Sequence, residues 1–227
     1  MRHLDGPRWG PASGGAPRHL VVLAHGLGAD GHDLIDLGPY WSKALPEALF
    51  VAPDAPDPCA GTAFGRQWFE LWDRSPAALA ASVAVAAEDL LGFVEAELAR
   101  LGLPADAVAL MGFSQGAMVS LHAGLRRPVP PRAILSYAGA LLDPDLPARA
   151  VWPPVLLMHG AADAVVPAEA SASAATVLRA AGVAVDLVTV PGLGHGLDDT
   201  GLSHGALFLQ RAFAETPDEN RPATPGQ

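Results

Sequence analysis

Apolar positions along this chain fall into short unbroken runs, separated by longer stretches in which they recur at helical spacing. The runs cover residues 19–24 (HLVVLA), 49–52, 107–111, 133–137, 155–158 and 183–190. They do not alternate with polar residues, several are β-branched, and they end near glycine or proline, which is the pattern of strands buried on both faces. Helices are expected at 33–45, 76–101, 115–125, 167–181 and 201–214. Ser75 stands as N-cap of the second, Pro76 at its first helical position and Gly102 just past its end. Pro167 and Gly182 bracket the fourth in the same way. Strand and helix in alternation predict an α/β fold, a mostly parallel central sheet with helices on both faces.

One stretch breaks the rhythm. Residues 54–75 are long for a connection yet carry Phe64, Trp68, Phe69, Leu71 and Trp72. So much aromatic surface must pack on something, as a flap beside a ligand site or as a plug over the sheet edge. Residues 138–154 leave no room for a large cap domain. A single domain is expected over 1–215, followed by a polar, proline-bearing and flexible tail over 216–227.

Composition narrows the classes. A chain of 227 residues suits one core, and with 50% apolar and 17% charged residues it is not a disordered tether. A net charge of −10 argues against nucleic acid, whose phosphates call for a cationic face. Cys59 is the single cysteine, so neither an internal disulfide nor a cysteine-rich zinc site can form. His3, His19 and His32 lack metal-ligand spacing, and no metal or other cofactor is expected. Residues 1–17 are broken by Pro7, Pro11 and Pro17 and lack an apolar signal core. The uncharged stretch 107–125 is punctuated by Gly112, Ser114, Gln115, Gly116, Ser120, His122 and Gly124. A cytoplasmic protein without stable membrane insertion is expected.

The chemistry begins at Gly112-Phe113-Ser114-Gln115-Gly116, between an expected strand and an expected helix. This G-x-S-x-G context puts a serine on a strained turn at the carboxyl edge of the sheet, near the positive end of a helix. A serine hydroxyl needs a base to take its proton and an acid to orient that base. His195 follows the strand at 183–190 within a glycine-rich loop, and Asp163 follows the strand at 155–158. The order Ser114, Asp163, His195 is that expected of an α/β-hydrolase. Asp143, in the preceding loop, is the serious competitor for the acid. Asp186 falls mid-strand and Glu169 inside a helix. His25 and His159 end strands and read as loop anchors, and Cys59 reads as a small wall residue. His25-Gly26-Leu27-Gly28 forms a glycine-rich turn whose N–H groups can face an oxyanion, so Leu27 and Gln115 are assigned as backbone donors. Gly26, Gly28 and Gly31, with Asp54 after the next strand, also match a dinucleotide fingerprint. Against that reading, Asp30 would face an anionic pyrophosphate and the Ser–Asp–His set would go unexplained.

The segments HGLGADGHDL (25–34), GRQWFEL (65–71), GFSQG (112–116), HGAADAVVP (159–167) and GLGHG (192–196) resemble the bacterial phospholipase/carboxylesterase family, whose relatives include acyl-protein thioesterases. The resemblance runs over roughly residues 4–214. It implies an α/β-hydrolase without a large cap, acting without cofactor on small-molecule carboxylic esters or thioesters. The family roles carried over are nucleophile Ser114, acid Asp163, base His195 and oxyanion donors Leu27 and Gln115. Trp68 and Phe69 match the family's acyl-site segment, where Glu70 replaces the usual aspartate. The acyl slot implied is lined by Phe64, Trp68, Phe69, Val165, Val166 and Leu197 and favours short or medium chains. Family members are often dimers, which leaves a homodimer open. The rival from another class is a ligand-binding homologue without chemistry.

Overall fold

A computed structural model describes residues 2–60, 62 and 64–214; the tail expected at 216–227 lies outside them. The central sheet has seven strands in the order β1 (Arg8–Trp9), β3 (Ala48–Val51), β2 (His19–Ala24), β6 (Val108–Phe113), β7 (Ala133–Tyr137), β8 (Val155–Gly160) and β9 (Val185–Val190). All neighbours run parallel except β1, which pairs antiparallel with β3. That two-residue edge strand carries no apolar run, which is why the hydrophobic pattern does not announce it.

Successive strand residues feed opposite layers. Leu20, Val22, Val108 and Leu110 join one cluster with Val83, Leu90 and Val94 of α3 (Pro76–Leu101). Ile134, Val155 and Leu157 continue that face under α4 (Gln115–Arg126) and α5 (Glu169–Ala180). Val21, Leu23, Phe50, Ala109, Met111 and Leu135 point the other way. They meet Leu34 of α1 (His32–Ile35), Trp41 of α2 (Leu37–Trp41) and Leu209 of α6 (Asp199–Ala214). Burial on both faces is the reason the strands read as unbroken apolar runs.

The helix expected over 33–45 is two short helices. Pro39 has no N–H to donate to the carbonyl of residue 35, so the ladder is interrupted there. α3, in contrast, spans the expected residues. Ser75 Oγ accepts from the Ala78 amide at 3.4 Å, and Gly102 closes the helix at φ +65°. By length and composition α3 could cross a membrane. It lies on the sheet instead, and its buried Asp89 and Glu97 are paired with Arg2 at 2.8 Å and with Arg8 at 2.8 Å.

Candidate active site

The carboxyl ends of β2, β6, β8 and β9 each give way to one component of the site. At the end of β6 the chain turns so sharply that Ser114 sits at φ +53°, ψ −117°, a region side-chain-bearing residues rarely occupy. The turn is held by the Ser114 amide, which donates to the Tyr137 carbonyl at 2.8 Å. It is possible only because its flanks lack side chains. A Cβ on Gly112 would collide with the Gly116 backbone, and one on Gly116 with the Ala24 and His25 carbonyls. Strand and helix therefore touch, and the hydroxyl stands at the N-terminus of α4.

His195 Nε2 lies 2.9 Å from Ser114 Oγ, and His195 Nδ1 lies 2.7 Å from Asp163 Oδ2. The Phe113 ring, 4.9 Å away centroid to centroid, packs on the imidazole. Gly160, at the end of β8, lets the 192–194 loop come close, since a Cβ there would strike the Leu193 and Gly194 carbonyls. The buried Asp163 carboxylate is fully used. Oδ1 accepts from the Val165 and Val166 amides at 2.8 and 3.0 Å, and Oδ2 faces His195. Burial by itself would raise this carboxyl, but the bonds from His195 and the two amides outweigh it and hold Asp163 below the usual range.

The competitors are occupied elsewhere. Asp143 pairs with Arg126 at 2.6 Å, and Asp186 with Arg211 at 3.3 Å. His25 is a loop anchor: its Nε2 accepts from the Ala55 amide at 2.9 Å and its Nδ1 donates to the Gly26 carbonyl. His159 is likewise bonded, to Ser171 and Val166, but it has a second contact that its position at a strand end did not suggest. Its Nε2 lies 3.3 Å from Asp163 Oδ2. The dinucleotide reading meets a four-residue helix after its glycines. Asp54 accepts from the Gly31 amide at 2.8 Å instead of facing a ribose.

Among the described residues, the backbone N–H groups of Leu27 and Gln115 donate to no protein acceptor. Leu27 itself is half exposed. The aromatic segment resolves into a plug with an exposed tip. β4 (Asp57–Pro58) and β5 (Arg66–Gln67) pair antiparallel, and Trp68 and Phe69 sink into the core at 1% and 5% exposure. Both lie in the core layer between β2 and α3, so of the residues expected to line the acyl slot these two are the most deeply buried. The Trp68 indole N–H donates to the His25 carbonyl at 2.9 Å, which fixes the ring at the base of the Leu27 turn. Phe64 and Val165 are exposed, while Val166 and Leu197 are partly buried, Leu197 against the α6 layer. A cavity of about 740 Å³ lies between residues 2–8 and α3, where Arg2, Leu4, Arg8, Phe93 and Arg100 line it and none of Ser114, Asp163 and His195 does.

A family model described as Phospholipase/Carboxylesterase matches residues 12–212. Esterase YpfH of Escherichia coli (strain K12) is 28% identical over 194 residues, covering 85% of this chain and 82% of its own. Acyl-protein thioesterase 1 of Schizosaccharomyces pombe (strain 972 / ATCC 24843) is 30% identical over 168 residues, covering 70% of this chain and 74% of its own. The crystal structure of esterase PE8 superposes with a TM-score of 0.85 at 39% identity, covering 92% of this chain and 99% of that one.

Proposed function

The chain belongs to the phospholipase/carboxylesterase family and is a serine hydrolase of its esterase and thioesterase class; from that premise we propose that Ser114, His195 and Asp163 form its acyl-transfer machinery. The observation that carries the reading is the unbroken line of contacts, 2.9 Å from hydroxyl to imidazole and 2.7 Å from imidazole to carboxylate. His195 takes the Ser114 proton as Oγ attacks the ester carbonyl, and Asp163 stabilises the imidazolium. The free Leu27 and Gln115 amides receive the oxyanion, each donor supplying about 2.7–4 kcal/mol to such a transition state. The imidazolium protonates the departing alkoxide. Water, deprotonated by the same imidazole, then cleaves the acyl-enzyme and regenerates the serine.

The substrate class follows from how open the site is. Residues 138–154 run from β7 to β8 without building a cap, and Trp68 and Phe69 are spent on the core. Short- and medium-chain esters are therefore the preferred acyl donors, because a long chain would find little enclosed apolar wall. The similarity to an acyl-protein thioesterase supports a second substrate type at the same serine, since a thioester presents the same carbonyl and a better leaving group.

Turnover of a p-nitrophenyl ester series tests both statements. Butyrate should be cleaved faster than palmitate, with an acyl-enzyme burst. Ser114→Ala should lose about a thousandfold or more in kcat while keeping its melting temperature. A Ser114→Ala protein as active as the parent overturns the assignment of the nucleophile, and a preference for palmitate overturns the open slot.

A further inference from the structure

The two proposed oxyanion donors sit on different loops, Leu27 after β2 and Gln115 at the start of α4, and something must fix their separation. β2 and β6 are paired up to Ala24 and Gly112, but Leu27 lies beyond that pairing and its side chain is half exposed. What grips its loop is the segment 65–69. The Gly28 amide donates to the Arg66 carbonyl at 2.8 Å, and the Arg66 amide donates to the Ala29 carbonyl at 2.8 Å. Gly65 presses so closely on the Gly28 carbonyl that no Cβ would fit between them. Two bonds and a close contact thus tie the turn carrying Leu27 to β5.

The other end of the segment is tied to α4 by one side chain. Gln115 Oε1 accepts from the Trp68 amide at 2.8 Å, and Gln115 Nε2 donates to the Phe69 carbonyl at 2.8 Å. The carboxamide is buried and behaves as a strand neighbour would, meeting one backbone donor and one backbone acceptor. The flipped amide would set NH₂ against N–H and carbonyl against carbonyl, so its orientation is fixed by its partners. Carboxylate offers no donor for the Phe69 carbonyl and methionine offers neither bond. The indole of Trp68, bonded to the His25 carbonyl at 2.9 Å, adds a third tie at the base of the Leu27 turn.

A closed circuit results: the Gln115 backbone, its side chain, Trp68–Phe69, Arg66, Gly28 and Leu27. We propose that the Gln115 carboxamide is a positioning residue for the oxyanion site, setting through residues 65–69 where the Leu27 amide stands relative to its own. The proposal rests on the reading of Leu27 and Gln115 as the backbone donors. It adds that the side chain next to the nucleophile governs the donor on the other loop. Every substitution except proline keeps the Gln115 N–H, so loss of the side chain isolates position from presence.

The experiment uses the full chain with Gln115→Met and Gln115→Glu, and Gly65→Ala as a variant that disturbs the far end of the circuit. Active sites are titrated with a phosphonate ester, so that rates refer to folded enzyme. With p-nitrophenyl butyrate, kcat per titrated site should fall about 10- to 100-fold while KM changes less than about threefold, because the defect is felt only as charge develops on oxygen. A trifluoromethyl ketone, which forms a tetrahedral adduct with an oxyanion, should lose affinity by a similar factor. The pH dependence of kcat/KM should keep its midpoints, since the Ser–His–Asp contacts are untouched. A purely structural carboxamide would lower the melting temperature and leave kcat per site within twofold, which overturns the proposal. So does a kcat loss without weaker ketone binding. If Gln115→Met fails to fold, Gly65→Ala decides by the same two readouts. Failure of the underlying reading is separate, because it would show as an active Ser114→Ala.

Discussion

Asp163 illustrates how much a single buried carboxylate has to satisfy. Oδ1 is taken by two amides, and Oδ2 is approached by two imidazoles, His195 at 2.7 Å and His159 at 3.3 Å. The proton on His159 Nε2 follows from its partner. The Val166 carbonyl, 2.8 Å from Nε2, can only accept, so Nε2 carries a proton, while Nδ1 is hydrogen-bonded to the Ser171 hydroxyl at 2.7 Å. His159 therefore presents an N–H donor at the back of the Asp163 carboxylate. Ser171→Ala removes the bond to Nδ1 and leaves a buried ring nitrogen without its partner. Chemical denaturation should report a loss of about 1–3 kcal/mol. Asp163→Asn keeps the volume but cannot hold the charged base. A kcat lowered by about four orders of magnitude in steady-state assays is expected.

At the scale of elements, the site depends on two backbones that touch. Gly116 has carbonyls of Ala24 and His25 where a Cβ would go, so Gly116→Ala must push α4 away from β2. A urea titration should show a loss of about 3 kcal/mol or more, with esterase activity falling along with it as the serine leaves its turn. Gly102 is a contrasting case. It ends α3 in the left-handed region with open space around it, so Gly102→Ala meets strain without collision. Its expected loss is about 1 kcal/mol, with unchanged kcat. The same local rules account for the ends of α3 being read correctly while the expected helix 33–45 was not: Ser75 and Gly102 are unambiguous caps, but Pro39 inside an otherwise helical pattern breaks the ladder.

For the molecule as a whole, acid stability offers a test of the packing between α4 and the loop that follows β7. His122, on α4, is buried with Nδ1 unpartnered among the described residues. Burial first and the Arg126 guanidinium second push its pKa down to about 4, against a weaker upward pull from Asp143, 4.0 Å away. The folded protein therefore refuses a proton that the unfolded chain accepts near its ordinary value of 6.5. Stability falls as pH drops from about 6.5 to 4, and no further below that, because both states are then protonated. With solvent screening the loss is about 2 kcal/mol. Glu97 and Asp163, held below their usual values, act in a lower window: their contribution is present above the ordinary carboxylate range and is lost as pH falls through their depressed values. Thermal melts of His122→Leu between pH 7 and 4 should show a flatter decline than the parent. An equal slope would mean the buried imidazole is not the group responsible.

The chain's own order of residues determined the strands, because a sheet covered on both faces requires unbroken apolar runs, and it determined the sharp turn at Ser114, because only glycines two before and two after it allow strand and helix to meet. That Asp163 and His195 come to the same sheet edge as Ser114 was legible too, because each sits in a loop directly after a strand. What no local pattern could carry was contact at a distance. That Asp143 is claimed by Arg126, that Trp68 and Phe69 are buried while Phe64 and Trp72 are exposed, and that the Gln115 side chain grips a segment more than forty residues away in sequence were decided by packing. Such choices depend on which buried polar groups find partners once the layers close, and a side chain's spacing along the polymer does not say which neighbour it will meet.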